Sequence, residues 1–196
     1  MNTFTNNSRP AAPRRAVLLA AASLCLGALA LPMTAPAAVS SRAEIDAQSR
    51  EALARLKEQT SAGAELASRA AGVLVFPKIL KGGLVVGGEY GEGQLRVGGV
   101  PTRYYRLASA SVGFQLGVQQ KSVVILFMTP ESLEHFRKSK GWKAGVDASV
   151  AIATLGAGDQ LDTETARKPV IAFVFSNKGL MYNLTLEGSR ITPLGK

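Results

Sequence analysis

Eight glycines fall within the eighteen residues Gly82–Gly99, GGLVVGGEYGEGQLRVGG. Backbone at that glycine density can close around a phosphate, so nucleotide binding is the first chemistry to test. A phosphate loop sets its glycines between a strand and a helix, whose N-terminal amides then face the anion. Here Gly91-Glu92-Gly93 runs into Gln94-Leu95-Arg96-Val97, which is strand-like, and no glycine is followed by Lys-Ser or Lys-Thr. Glu89 and Glu92 would also repel a phosphate. The glycines read instead as bulges, bends or close approaches of backbone within a sheet.

Other reactive residue types are sparse. His135 is the single histidine, one position before Phe136 on a helix that buries Phe136, and it reads as a surface residue rather than a general base. Asp159, Asp162 and Glu164 lie in DQLDTE, which lacks the alternating spacing of a calcium loop and reads as a solvated acidic loop. The sequence thus points to no enzyme, no metal site and no cofactor. One constellation stands out: Phe136-Arg137-Lys138-Ser139-Lys140-Gly141-Trp142-Lys143 sets four cations beside the only tryptophan. It reads in two ways. Basic residues can offset the dipole at a helix C-terminus while Trp142 packs in the core. Alternatively Arg137, Lys138, Lys140, Trp142 and Lys143 meet lipid headgroups, joined by Lys78 and Lys81, each cation contributing ~1 kcal/mol near an anionic leaflet.

The elements that would position these residues are legible in part. Ser41–Ala71 is rich in Ala, Glu, Arg and Leu, with Ile45, Leu53 and Leu56 at helical spacing. A break at Ser61-Ala62-Gly63, with Thr60 or Ser61 as cap, begins a second short helix ending at Gly72. Strands follow: 72–76, closed by Pro77; Leu84–Val86; 111–119, with Val112, Phe114, Leu116 and Val118 on one face; and 122–128, apolar throughout as a strand buried on both faces would be. Thr129-Pro130-Glu131 starts a helix that buries Leu133 and Phe136 and stops at Gly141. Val146–Thr154 alternates as a strand, 159–169 is a polar loop, and 170–186 is a hairpin turning at Asn177-Lys178-Gly179. A last strand spans 189–192. Strands at hairpin spacing, without strand–helix–strand alternation, predict an α+β fold: N-terminal helices, then a strongly curved, mostly antiparallel, barrel-like sheet with one intervening helix.

The chain begins differently. Arg9, Arg14 and Arg15 precede the apolar run 16–31, which Pro32 closes ahead of Ala35-Pro36-Ala37. This pattern predicts a secretory signal peptide over residues 1–37, cut after Ala37 or Ala38, by the Sec or the twin-arginine route. Cys25, preceded by Leu24 rather than a small residue, lacks the lipoprotein pattern and leaves with the signal, so the mature chain has no cysteine. Three of the 23 Lys and Arg residues lie in that segment, leaving 20 against 14 acidic residues and a net charge of +6. For an exported chain the expected counter-surface is anionic lipid or another envelope polyanion, not nucleic acid.

The runs AGVLVFPKILKGGLVVGGEYGEG, ASVGFQLGVQQKSVVILFMT, GWKAGVDASVAIATLGAG and FVFSNKGLMYNLTLEGSRIT occur in the order found in the SYLF domain family, and the chain resembles its bacterial members. The family includes yeast actin-patch regulators and vertebrate lipid-binding adaptors. The resemblance covers residues 62–194, after a helical segment at 38–61. It implies phospholipid binding; together with the export signal and the basic mature chain, the expectation is a module bound peripherally to an anionic leaflet in the periplasm, with a protein partner in the envelope as the alternative. Residues 62–71 occupy the place of the family's amphipathic N-terminal segment but carry only Arg69 as a cation. This shifts the expected lipid contact to Lys78, Lys81 and residues 137–143.

Overall fold

A computed structural model describes residues 40–83, 86–112, 119–154, 163–175, 186 and 188–195. The expected signal peptide with Cys25, the alternation over 113–118, the acidic residues Asp159 and Asp162, and the turn and most of the return strand of the 170–186 hairpin lie outside these residues.

The described residues begin with two helices. α1 (Arg42–Gln59) starts at Ser41, whose Oγ accepts from the Glu44 amide, and ends at Thr60. Thr60 is also the N-cap of α2 (Ser61–Arg69), its hydroxyl accepting from the Gly63 amide. One extended residue therefore closes one helix and opens the next. α2 stops at Ala70, two residues before the expected Gly72.

Four long strands follow: β1 (Gly72–Gly83), β2 (Val86–Val97), β3 (Val100–Val112) and β4 (Gln119–Phe127). Then come α3 (Pro130–Lys138), β5 (Trp142–Lys143), β6 (Ala151–Thr154), a single turn α4 (Thr163–Ala166), β7 (Val170–Phe175) and β8 (Arg190–Pro193). The eight strands form one curled sheet, a half-barrel, in the order β5-β8-β3-β2-β1-β4-β7-β6. Every neighbouring pair is antiparallel except β6 and β7. The α+β class and the curved, mostly antiparallel sheet are as the sequence predicts.

Four local expectations need correction. β1 does not stop at Pro77 but runs through it to Gly83. The segment 146–150 is not strand, because Gly145 takes a positive φ and Asp147 turns the chain back by accepting from the Lys143 amide. Residues 163–166 are helical rather than loop, so β6, α4 and β7 make one parallel strand–helix–strand unit in a chain expected to have none. β3, thirteen residues long, was not foreseen from residue 100 to 110.

Pro77 is accommodated by bulges against both neighbours. Between Val75↔Gln94 and Lys78↔Glu92, two residues of β1 face the single residue Gly93. Between Phe76↔Val123 and Ile79↔Lys121, two residues face Ser122, whose hydroxyl donates to the Pro77 carbonyl at 2.7 Å. The bulge presses β1 onto β2. A Cβ on Gly93 would lie 2.1 Å from the Val75 carbonyl oxygen, and one on Gly91 would lie 2.8 Å from that of Lys78. The glycine run thus serves close approach of two backbones, as its sequence context implies. The pair Gly98-Gly99 has φ of 60° and 80° and makes the two-residue turn between β2 and β3.

The central strands bury both faces. On β4, Val123, Ile125 and Phe127 join one core with Leu74, Phe76, Phe136 and Trp142. Val124 and Leu126 join a second core with Leu56 and Leu66 of α1 and α2. α1 and α2 therefore cover one face of the sheet and α3 the other.

Gly93→Ala sets a Cβ against backbone that cannot give way, and is expected to cost about 3 kcal/mol or more. Gly98→Ala, with open space around it, carries only the strain of a positive φ, about 1 kcal/mol. Urea midpoints of the two variants check this, and equal midpoints would contradict the close-approach account.

Candidate functional site

α3 is a well-specified helix. Thr129 and Ser132 form a capping box, Pro130 occupies the first turn, and Glu131 lies at the positive end of the dipole. Leu133 and Phe136 anchor it to the sheet. Phe136 stacks on Phe127 at 4.7 Å between ring centroids and meets Tyr105 at 4.9 Å. With its apolar side fixed in this way, the helix presents His135, Arg137 and Lys138 outward in its last turn.

An open cleft of about 650 Å³ runs alongside, walled by Ala71, Pro130 and Leu133 and flanked by Arg103, Glu134, Arg137 and Lys138. Arg103 comes from β3, unforeseen because the strand carrying it was unforeseen. Glu134 and Lys138 pair at 2.7 Å, which holds the Glu134 carboxyl below its usual range. Both are well exposed, so the pair is loosely held. Among the described residues no carboxylate side chain pairs with Arg103, Arg137, Lys140 or Lys143. Tyr105 lies beneath the two arginines. Burial raises its pKa, and the charges of Arg103 and Arg137 offset part of that rise. Arg190, opposite Lys143 in the β5–β8 ladder, packs against Gly141, where an added Cβ would lie 2.6 Å from its Nε.

The seven expected lipid-contact residues separate into three groups. Arg137, Lys138, Lys140 and Lys143 are exposed together at the end of α3 and on β5. Trp142 does not join them. It is 1% exposed, with its ring edge-on to Phe136 at 5.6 Å and to Phe127 at 6.2 Å. The correction has a simple cause: Trp142 pairs with Ile191 on β8, and its face of that ladder is the core. Lys78 and Lys81 lie on β1, with β2, β3 and β8 interposed in the sheet before β5.

Lys81 is also committed elsewhere. Its Nζ lies 3.8 Å from Glu89, which is 8% exposed and bound at 2.9 Å by Lys121, itself 3% exposed. Two cations thus share one buried carboxylate where β1, β2 and β4 meet. Glu92 is likewise enclosed, accepting from the Ser40 amide at 3.1 Å and the Tyr90 hydroxyl at 2.7 Å. The two glutamates of the glycine-rich run are structural. α2, in the place of the family's amphipathic segment, buries Leu66 and pairs its Arg69 with Glu65 at 3.3 Å. His135 is exposed, and Glu164 is exposed on α4.

Fold and surface define a small α+β domain with one cationic flank built on a firmly anchored helix. Residues 108–195, a little under half of the chain, match the family model described as "Ysc84: Las17-binding protein actin regulator", which supports the resemblance to the SYLF domain family. The match begins inside β3, so β1, β2 and their glycines lie before the matched residues. No curated protein matches the chain.

Trp142→Ala is expected to cost about 3–5 kcal/mol, and the native indole to emit at short wavelength with weak acrylamide quenching. A strongly quenched indole would contradict its burial. Tyr90, Tyr104 and Tyr105 all have pKa values raised above 10.0, chiefly by desolvation. Folding therefore favours their neutral forms, so this stability is intact below pH 10 and is lost as pH rises through the elevated values. Tyrosinate absorbance and thermal midpoints followed from pH 8 upward check the sign, and a midpoint that rises above pH 10 would refute it.

Proposed function

We propose that this domain is a non-catalytic module that docks on anionic phospholipid through the cationic flank of α3. The observation that carries the reading is the grouping of Arg103, Arg137, Lys140 and Lys143. All are uncompensated by carboxylates among the described residues, and all stand on or beside a helix whose other side is locked into an aromatic core. Cations held on a rigid platform add at a charged surface, each contributing ~1 kcal/mol. The open, shallow cleft suits a headgroup layer better than an enclosed reaction. The export-type segment at residues 1–37 supports placing that leaflet in a bacterial envelope, facing the periplasm.

A second reading follows from the family's description, which names a protein partner, Las17. Leu80 and Tyr90 face each other across β1 and β2 and are 41% and 38% exposed, with Lys78 nearby on the same strand. A protein ligand in the envelope would meet that apolar–basic patch rather than the α3 flank.

Flotation of residues 38–196 with phosphatidylglycerol or cardiolipin vesicles at low salt separates the two readings. Binding is expected, weakening as salt rises. Arg137→Glu, Lys140→Glu and Lys143→Glu together should abolish it, while Leu80→Ser leaves it intact and circular dichroism stays unchanged. Absence of flotation on both lipids at low salt would overturn the lipid reading.

A further inference from the structure

The opposite face of the sheet carries a second cavity that the α3 flank does not explain. It holds about 450 Å³ and lies between the end of α1, the second half of α2, the start of β1 and the β2–β3 turn. One wall is apolar. Leu53, Ala67, Ala70 and Val73 line it, and these same side chains form the partly buried rim of the second core. The other wall is cationic, with Lys57 in the last turn of α1 and Arg96 on β2. No carboxylate lines the cavity among the described residues.

Arg96 is held in an unusual state. Its Nη2 donates to the Gly99 carbonyl of the β2–β3 turn, which fixes the plane of the guanidinium. Its Nη1 is buried and has no hydrogen-bond partner among the described residues. A buried charged donor left unpaired is costly, and the cost is relieved by an oxygen acceptor bearing negative charge. Lys57 adds a second positive charge at the same cavity. The cavity thus combines a positioned donor, a net charge of +2 and a hydrocarbon wall. A purely polar anion would leave the wall unused, and a neutral hydrocarbon would leave the guanidinium unpaired.

We propose that this cavity binds a single-chain amphiphile, its anionic head on the Arg96 guanidinium and Lys57 and its apolar chain along Leu53, Ala67, Ala70 and Val73. The head is a carboxylate or a phosphate monoester, the two anions that accept from a guanidinium in this way. The site shares no lining residue with the α3 cleft and does not depend on the membrane reading.

Titration of ¹⁵N-labelled residues 38–196 with octanoate and with octyl phosphate tests it, 1-octanol and inorganic phosphate serving as controls. At least one amphiphile should give saturable amide shifts at Ala70, Gly98 and Gly99, and the tighter of the two identifies the head. Neither control should saturate over the same range. Arg96→Gln should weaken binding roughly tenfold or more, as loss of a charge-assisted hydrogen bond implies. Lys57→Gln, at an exposed position that cannot unfold the domain, should weaken it severalfold. The proposal is overturned if neither amphiphile saturates, if octanol binds as tightly as they do, or if Lys57→Gln leaves the affinity unchanged.

Discussion

The double bulge at Pro77 is the constraint around which the sheet is arranged. Proline has no amide hydrogen and cannot complete a ladder, which makes it foreign to a central strand. β1 is nevertheless central, with β2 on one side and β4 on the other. The conflict is absorbed by placing an extra residue of β1 against each neighbour, and each neighbour answers with the residue the strain requires. Gly93 has no Cβ to collide with the displaced carbonyl of Val75. Ser122 supplies a hydroxyl to the buried carbonyl of Pro77. A bulge also increases local twist, so the same irregularity that admits the proline helps curl the sheet.

Curling has consequences on both faces. The continuous apolar runs of β4 and β7 belong to strands that contribute alternate side chains to two separate cores. Each core is closed by helices, and α1 and α3 end in basic residues. α3 closes the first with Leu133 and Phe136 and ends in Arg137 and Lys138. α1 and α2 close the second, and Lys57, in the last turn of α1, lines one cavity with Arg96 beside the β2–β3 turn. Basic residues at helix C-termini offset the dipole locally. On this fold the same placement leaves them at the edges of apolar surfaces.

How far the sequence reveals this depends on the range of the interaction concerned. Short-range signals are legible: the start of α3 at Thr129-Pro130-Glu131 and a cap for α2 at Thr60 or Ser61 are each set by a few neighbouring residues. The meaning of the glycine run is legible too, because its flanks are strands and its charges are wrong for phosphate. What escapes is non-local. Pro77 reads as a strand end because nothing nearby announces Gly93 and Ser122 as its partners. β3 hides because exposed Arg103 and Arg106 alternate with Tyr104, only partly buried, and with buried Tyr105 and Leu107, which blurs the two-residue period. Arg103 then escapes as a site residue along with its strand. Trp142 beside four cations suggests an interface, yet its side is decided by pairing with Ile191, almost fifty residues later.

Charge alone is a poor guide to function here, because this chain uses its cations in two ways. Lys81 and Lys121 neutralise Glu89 inside the sheet, where removing one partner would leave a buried charge and cost about 3–5 kcal/mol. Those lysines are fixed by the fold and are unavailable to a ligand without dismantling it. Arg137, Lys140 and Lys143 have no such commitment among the described residues, and neither does Nη1 of Arg96. What separates the groups is whether the fold has already supplied the counter-charge. In the composition all of these residues count equally toward the basic balance. Only the register of β1, β2 and β4 shows that Lys81 and Lys121 already have their counter-charge in Glu89.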